Sequence, residues 1–146
     1  MIHLYTIGFT KKSAERFFTL IRNNDIKSLV DTRLNNKSQL AGFAKGSDLP
    51  YLLNELCGVE YRHESSLAPT QEILKAYRKK EITWQSYEQR YRELIQQRQV
   101  HSNLDPAQFD KAVLLCSEAS PEKCHRRLAA EYLAEAWTRV EITHLQ

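Results

Sequence analysis

The chain has 146 residues, 42% hydrophobic and 27% charged, and a net charge of +3. That length can bury a real core as one domain, and the composition excludes a disordered or fibrous chain. The mild basicity admits an anionic partner, a small anionic ligand or nucleic acid, without requiring one. No apolar run approaches the roughly 20 residues that span a bilayer, so no membrane partner is expected.

The three cysteines form an odd set, unlike the even frameworks of secreted disulfide domains. The start, "MIHLYTIGFTKK", lacks a basic leader followed by a long apolar segment. Both features point to a cytoplasmic protein whose thiols are free, catalytic or metal-bound.

In chain order, "HLYTIGF" reads as a strand closing on Gly8. Ser13 opens a helix in which Phe17, Phe18 and Ile21 recur at helical spacing. "IKSLVDTR" is a second strand, apolar enough for burial on both faces. A polar loop runs from Leu34 to Gly46. Leu49, Leu52, Leu53 and Leu56 then mark one face of a short helix that admits Pro50 in its first turn and stops at Gly58. "VEYRH" is a short strand.

The middle, Thr70 to Arg98, is helical. Its stripe of Trp84, Tyr87, Tyr91, Leu94 and Ile95 is accounted for as core by spacing alone. The basic run "AYRKKE" reads as a solvated helix surface. "KAVLLCS" is the clearest strand. After it Ser120 is placed to cap a helix running from Pro121 to about Ala136, and "VEITHL" closes the chain as a strand. Alternating strands and helices give the expected fold class: α/β, one domain over 1–146. It should be a mostly parallel sheet of about five strands, with helices on both faces and a helical insertion in the middle.

In such sheets ligands gather beyond the carboxyl ends of the strands. Those ends read Gly8-Phe9-Thr10, Asp31-Thr32-Arg33, Arg62-His63-Glu64 and Cys116-Ser117-Glu118. The last helix buries Leu128, Ala129 and Leu133. The same face extended back one turn reaches Cys124 and His125, with Arg127 and Glu131 toward solvent. A helix start there favours an anion and a thiolate.

The expected catalytic set is therefore Asp31, His63, Glu118, Cys124 and His125, as acid, base or nucleophile. Arg33, Arg126, Thr10 and Ser38 form the substrate-binding set, the arginines clamping the anion in a fork. Cys124 has two readings, a buried thiol, which is preferred, and an exposed nucleophile in the cleft, while Cys116 reads as core at a strand end and Cys57 as structural.

No cofactor is expected, because the chain has four glycines and neither G-x-x-x-x-G-K nor G-x-G-x-x-G. No metal is expected either, for want of a Cys-x-x-Cys pair. Cysteine-phosphatase chemistry is excluded, because Glu122 stands where the phosphatase loop needs arginine. What remains is an enzyme acting on a phosphate-bearing, nucleotide or nucleic-acid substrate, or a non-catalytic domain that binds one. Nothing points to a protein partner.

The succession "YTIGFT", "LVDTR", a loop with Ser38 and Phe43, "GVEYRH", "WQSYEQRY" and "LLCSEASPEKCHR" resembles domain-of-unknown-function family 488. The likeness covers nearly the whole chain, and "LLCSE" followed by "CHR" is its most specific part. Where the family usually shows a His-Ser pair, this chain has Phe9-Thr10. The resemblance implies a compact bacterial or archaeal α/β domain and supplies no reaction.

Overall fold

A computed structural model describes residues 1–37, 42–118 and 121–146. Five strands form one wholly parallel sheet: β1 (Ile2–Gly8), β2 (Ser28–Asp31), β3 (Glu60–His63), β4 (Ala112–Cys116) and β5 (Val140–Leu145). Their order is β3-β2-β4-β1-β5. The central β4, "AVLLC", is buried at every position. Parallel sheets need both faces covered, and the apolar runs of β2 and β4 meet that need.

One face packs on α1 (Ala14–Asn23) and α2 (Leu49–Cys57), through Ile7, Leu29, Val113 and Leu115. The other packs on α4 (Trp84–Gln97) and α6 (His125–Ala136), through Leu4, Val30 and Leu114. The helical insertion comprises α3 (Gln71–Arg78), α4 and the short α5 (Val100–Asn103).

Local chemistry starts and stops these helices as the sequence indicates. The Ser13 hydroxyl accepts the Arg16 N–H at 3.1 Å. Thr70 and Thr83 cap α3 and α4 in the same way. Gly58 closes α2 with φ 65°, a left-handed conformation that glycine adopts without cost. Tyr91 is core, as expected, and its hydroxyl donates to the Leu67 carbonyl at 2.6 Å. Among the described residues no helix is long and apolar enough to cross a membrane.

The expected start of the last helix is corrected. It begins at His125, with Cys124 at the N-cap, rather than at Pro121. The Pro121 and Glu122 carbonyls accept from the Arg127 side chain at 3.2 and 3.1 Å, so residues 121–123 turn outside the helix. The expected cap Ser120 lies outside the described residues, as does Ser38 of the expected binding set.

The end of β1 is tightly constrained. Gly8 pairs with Cys116, and a Cβ on it would overlap the Glu118 carbonyl and press on Arg126 Nη1. Backbone and a buried guanidinium cannot both move aside, so only glycine fits. Gly8→Ala is expected to lose about 3 kcal/mol of stability in urea unfolding. A loss below about 0.5 kcal/mol would mean that this contact gives way easily.

Candidate functional site

The carboxyl ends of β2 and β4 and the start of α6 enclose a cavity of about 140 Å³. Its lining includes Cys116, Cys124 and His125, with Arg33, Glu118 and Lys123 around them. Trp84, Tyr77 and Tyr87 supply an aromatic wall. Trp84 stacks on Tyr87 at 5.0 Å and 18°, and Tyr77 meets Trp84 edge-on at 5.6 Å. The stripe expected to be core is therefore divided. Tyr87, Tyr91 and Ile95 are buried, while Trp84 and Leu94 are half-buried, Trp84 against the cavity beside the half-buried Tyr77 of α3.

An outer hollow of about 480 Å³ shares Tyr77, Arg78, Trp84 and Lys123 with this cavity and adds Lys80. Among the described residues its lining holds no acidic residue. Arg78, Lys80 and Lys123 are exposed, and none makes an ion pair among the described residues. Arg78 and Lys80 belong to the run read as solvated surface; they are solvated, and they converge on the hollow.

Of the expected site residues, Glu118, Cys124, His125 and Arg33 reach the cavity. The others do not. Asp31 is fully buried, and its oxygens are taken up by Arg33 and Tyr61. Arg33 Nε donates to Oδ1 at 2.9 Å and Nη2 to Oδ2 at 2.8 Å, while the Tyr61 hydroxyl donates to Oδ2 at 2.6 Å. Burial, and then this bond to Asp31, push the Tyr61 phenol up to about 12.

Arg33 also donates to the Ala44 carbonyl at 2.6 Å and lies over the Phe9 ring at 5.2 Å, while its Nη1 has no hydrogen-bond partner among the described residues. Asp31 and Arg33 thus form a mutual ion pair. His63 is exposed, and its Nε2 donates to the Arg33 carbonyl at 2.8 Å. Thr10 does not line the cavity but donates its N–H at 3.0 Å to the carbonyl of Ser117, which does.

Arg126 requires a correction of place. It was expected beside Arg33 in the cleft, but it is fully buried beneath the strand ends and does not line the cavity. Nε donates to the Thr6 hydroxyl at 3.3 Å. Nη1 donates to the Glu118 carbonyl and lies 3.5 Å from Cys116 Sγ and 3.9 Å from Cys124 Sγ. Burial lowers its pKa to about 10.

The expectation of free thiols is also overturned for one pair, because Cys116 and Cys124 are joined by a disulfide. Both are buried, Cys124 as expected. Cys57 is the remaining free cysteine, half-buried with Sγ 3.6 Å from the Phe18 carbonyl, and burial pushes its thiol up.

His125 is held by Thr32, a residue the sequence reading quoted but gave no role. The ring Nε2 lies 2.8 Å from the Thr32 carbonyl and 3.0 Å from its hydroxyl. A carbonyl can only accept, and the hydroxyl already donates to the Leu115 carbonyl at 2.8 Å. Nε2 therefore carries the proton, and Nδ1 is the nitrogen with a lone pair. Burial lowers the His125 pKa to about 4, so the ring is neutral near pH 7. Sequence reasoning missed Arg78, Lys80, Lys123, Trp84 and Tyr77. The signal for Trp84 and Tyr77 was their position at facing ends of successive helices, where a stripe runs out of core.

The model of the family described as "Domain of unknown function DUF488" matches residues 13–133. The chain belongs to this family. No curated protein and no solved structure matches the chain. The matched span holds every cavity residue named above, so in this DUF488 chain the cleft lies within the family domain.

The buried imidazole gives stability a defined pH dependence. The unfolded chain takes up a proton near pH 6.5, whereas folded His125 resists it down to about 4. The contribution is therefore complete above 6.5, declines as pH falls toward 4, and levels off below it. Between pH 7 and 5 the wild type should lose about 2 kcal/mol more than His125→Gln in urea unfolding. Parallel stability profiles for the two proteins would show that His125 is not the titrating group.

Proposed function

We propose that the strand-end cleft binds a phosphate-bearing ligand that carries a planar ring, a nucleotide or the end of a nucleic acid. The observation that carries this reading is the outer hollow. Arg78, Lys80 and Lys123 converge on the Trp84–Tyr77 edge with no acidic residue in the lining. Cations recognise phosphate, and an aromatic edge stacks a base with little regard to sequence. The fork once assigned to Arg33 and Arg126 has no such support, since one arginine is tied to Asp31 and the other lies beneath the strands.

A second reading, an enzyme acting on that ligand, rests on the inner floor. There Cys116, Cys124 and His125 gather two sulfurs and an imidazole in the cavity that shares Tyr77, Arg78, Trp84 and Lys123 with the hollow. Asp31 adds little to it, being saturated by Arg33 and Tyr61. Cytoplasmic thiol reductants would hold the floor cysteines as thiols, a setting that suits a chain with Cys57 left unpaired.

Calorimetric titration at low salt with a nucleoside monophosphate, inorganic phosphate and a short single-stranded oligonucleotide tests the main reading. The monophosphate or the oligonucleotide should bind more tightly than phosphate alone. Arg78→Ala/Lys123→Ala, both exposed sites, should lower that affinity at least about tenfold and flatten its salt dependence. Equal affinity of wild type and double variant, or no binding of any of the three, defeats the reading.

A further inference from the structure

The ligand atoms of Cys116, Cys124 and His125 all lie within 4.8 Å of one another on the cavity floor. We propose that these residues, once the disulfide is reduced, bind a zinc ion whose remaining coordination position faces the cavity. This stands apart from the nucleotide reading, since it rests on the floor residues and not on the outer cations.

The donor set is that of an open zinc site, with two thiolates and one imidazole leaving a position free for water or substrate. Zn–S bonds of about 2.3 Å in a tetrahedron set two sulfurs roughly 3.8 Å apart. The Cα atoms of the pair stand 7.4 Å apart, which leaves room for that separation without moving β4 against α6.

The surroundings suit thiolates better than a neutral sulfur pair. Arg126 Nη1 approaches both sulfurs, at 3.5 and 3.9 Å. Guanidinium N–H groups directed at ligating sulfur are the kind of outer contact that stabilises a thiolate–metal bond. Cys124 occupies the N-cap of the 12-residue α6, and the positive end of a helix favours a thiolate close to it.

His125 is oriented as metal-binding histidines are. One nitrogen is fixed by the Thr32 carbonyl and hydroxyl, which leaves Nδ1 to ligate. Tyr91 packs edge-on to the ring at 5.5 Å and limits its rotation.

The chemistry balances with a dithiol as reductant. Two electrons from the dithiol open the Cys116–Cys124 bond, both sulfurs take up protons, and the reductant closes its own disulfide. Zinc then displaces the two thiol protons to solvent. His125 gives its lone pair and releases nothing, and the thiolate charges cancel that of the ion. In the oxidised chain the sulfurs are bonded to each other and the site is closed.

The test reduces the full chain with a water-soluble phosphine, removes the phosphine without oxygen, and titrates cobalt(II) followed by zinc. The expected result is stoichiometric cobalt binding, with thiolate-to-metal charge transfer and the visible bands of tetrahedral cobalt, abolished by added zinc. Oxidised protein, Cys116→Ser and Cys124→Ser should lack these bands, and Cys57→Ser should keep them. His125→Ala should weaken cobalt binding by about tenfold or more.

A measurement on the wild type alone guards against variants that fail to fold. Zinc should protect Cys116 and Cys124 of reduced protein from alkylation while leaving Cys57 reactivity unchanged. Absence of the cobalt bands from reduced wild type, or equal alkylation of Cys116 and Cys124 with and without zinc, overturns the proposal. Nucleotide titration of zinc-free protein reads the outer hollow separately, so either result can fail without the other.

Discussion

The rest of the strand-end architecture depends on one buried cation, the guanidinium of Arg126. It enters from the first turn of α6 and reaches Thr6 on β1, Cys116 on β4, the Glu118 carbonyl in the following loop and the N-cap Cys124. Taking a guanidinium out of water is costly, and only well-placed acceptors offset the loss. A carbonyl, a hydroxyl and soft sulfurs share that task here. Because each acceptor belongs to a different element, satisfying the cation also fixes how β1, β4, the loop and α6 meet. Gly8 is part of the same constraint, since a side chain there would displace the Glu118 carbonyl from Arg126.

That arrangement separates the polar strand ends into two groups with different work. Asp31 and Tyr61 lie toward the α1–α2 side, where Phe9 and Ala44 also pack, and Arg33 reaches from them to the cavity lining. Their forked ion pair closes on itself. A buried pair of this kind adds little net stability but is destabilising to break, because the surviving charge is left without its partner. Cys116, Cys124 and His125 face the α4 side, where the cavity opens. Thr32 joins the groups: its carbonyl and hydroxyl hold His125, while Asp31 beside it is engaged elsewhere.

Much of the fold is legible in the sequence because it is local. The apolar continuity of "SLVD" and "AVLLC" marks strands buried on both faces, and Ser13, Thr83 and Gly58 mark helix ends by mechanisms that need no tertiary contact. The start of α6 was not legible in this way. Pro121 and a preceding serine are good helix-opening chemistry, but Arg127 claims the 121 and 122 carbonyls from a turn further on.

The site was legible as a place and not as a set of partners. That Asp31 pairs with Arg33 and that Arg126 turns under the sheet depend on which side of a strand end each long side chain leaves. A strand end imposes no period from which that could be read. Arg78 and Lys80 come from the end of α3 and the turn after it, Lys123 comes from the turn before α6, and their convergence exists only once α3 and α4 have packed across the sheet.

The "LLCSE" and "CHR" elements that first suggested the family can now be accounted for residue by residue. Cys116 and Cys124 form the floor, His125 adds a lone pair beside them, and Arg126 binds the loop between them to the sheet. Glu118 serves the fold through its carbonyl, which any residue would supply, so its side chain needs a separate reason. It is exposed at the rim of the cavity, facing a lining in which Arg33 and Lys123 are cations. A carboxylate in that position lowers the affinity of the inner cavity for a bare anion and leaves the outer hollow unopposed. For the proposed ligand this would favour phosphate outside and a less charged part inside, against the ring wall. On the proposed reading, that division would orient a nucleotide with its base or sugar toward Cys116, Cys124 and His125.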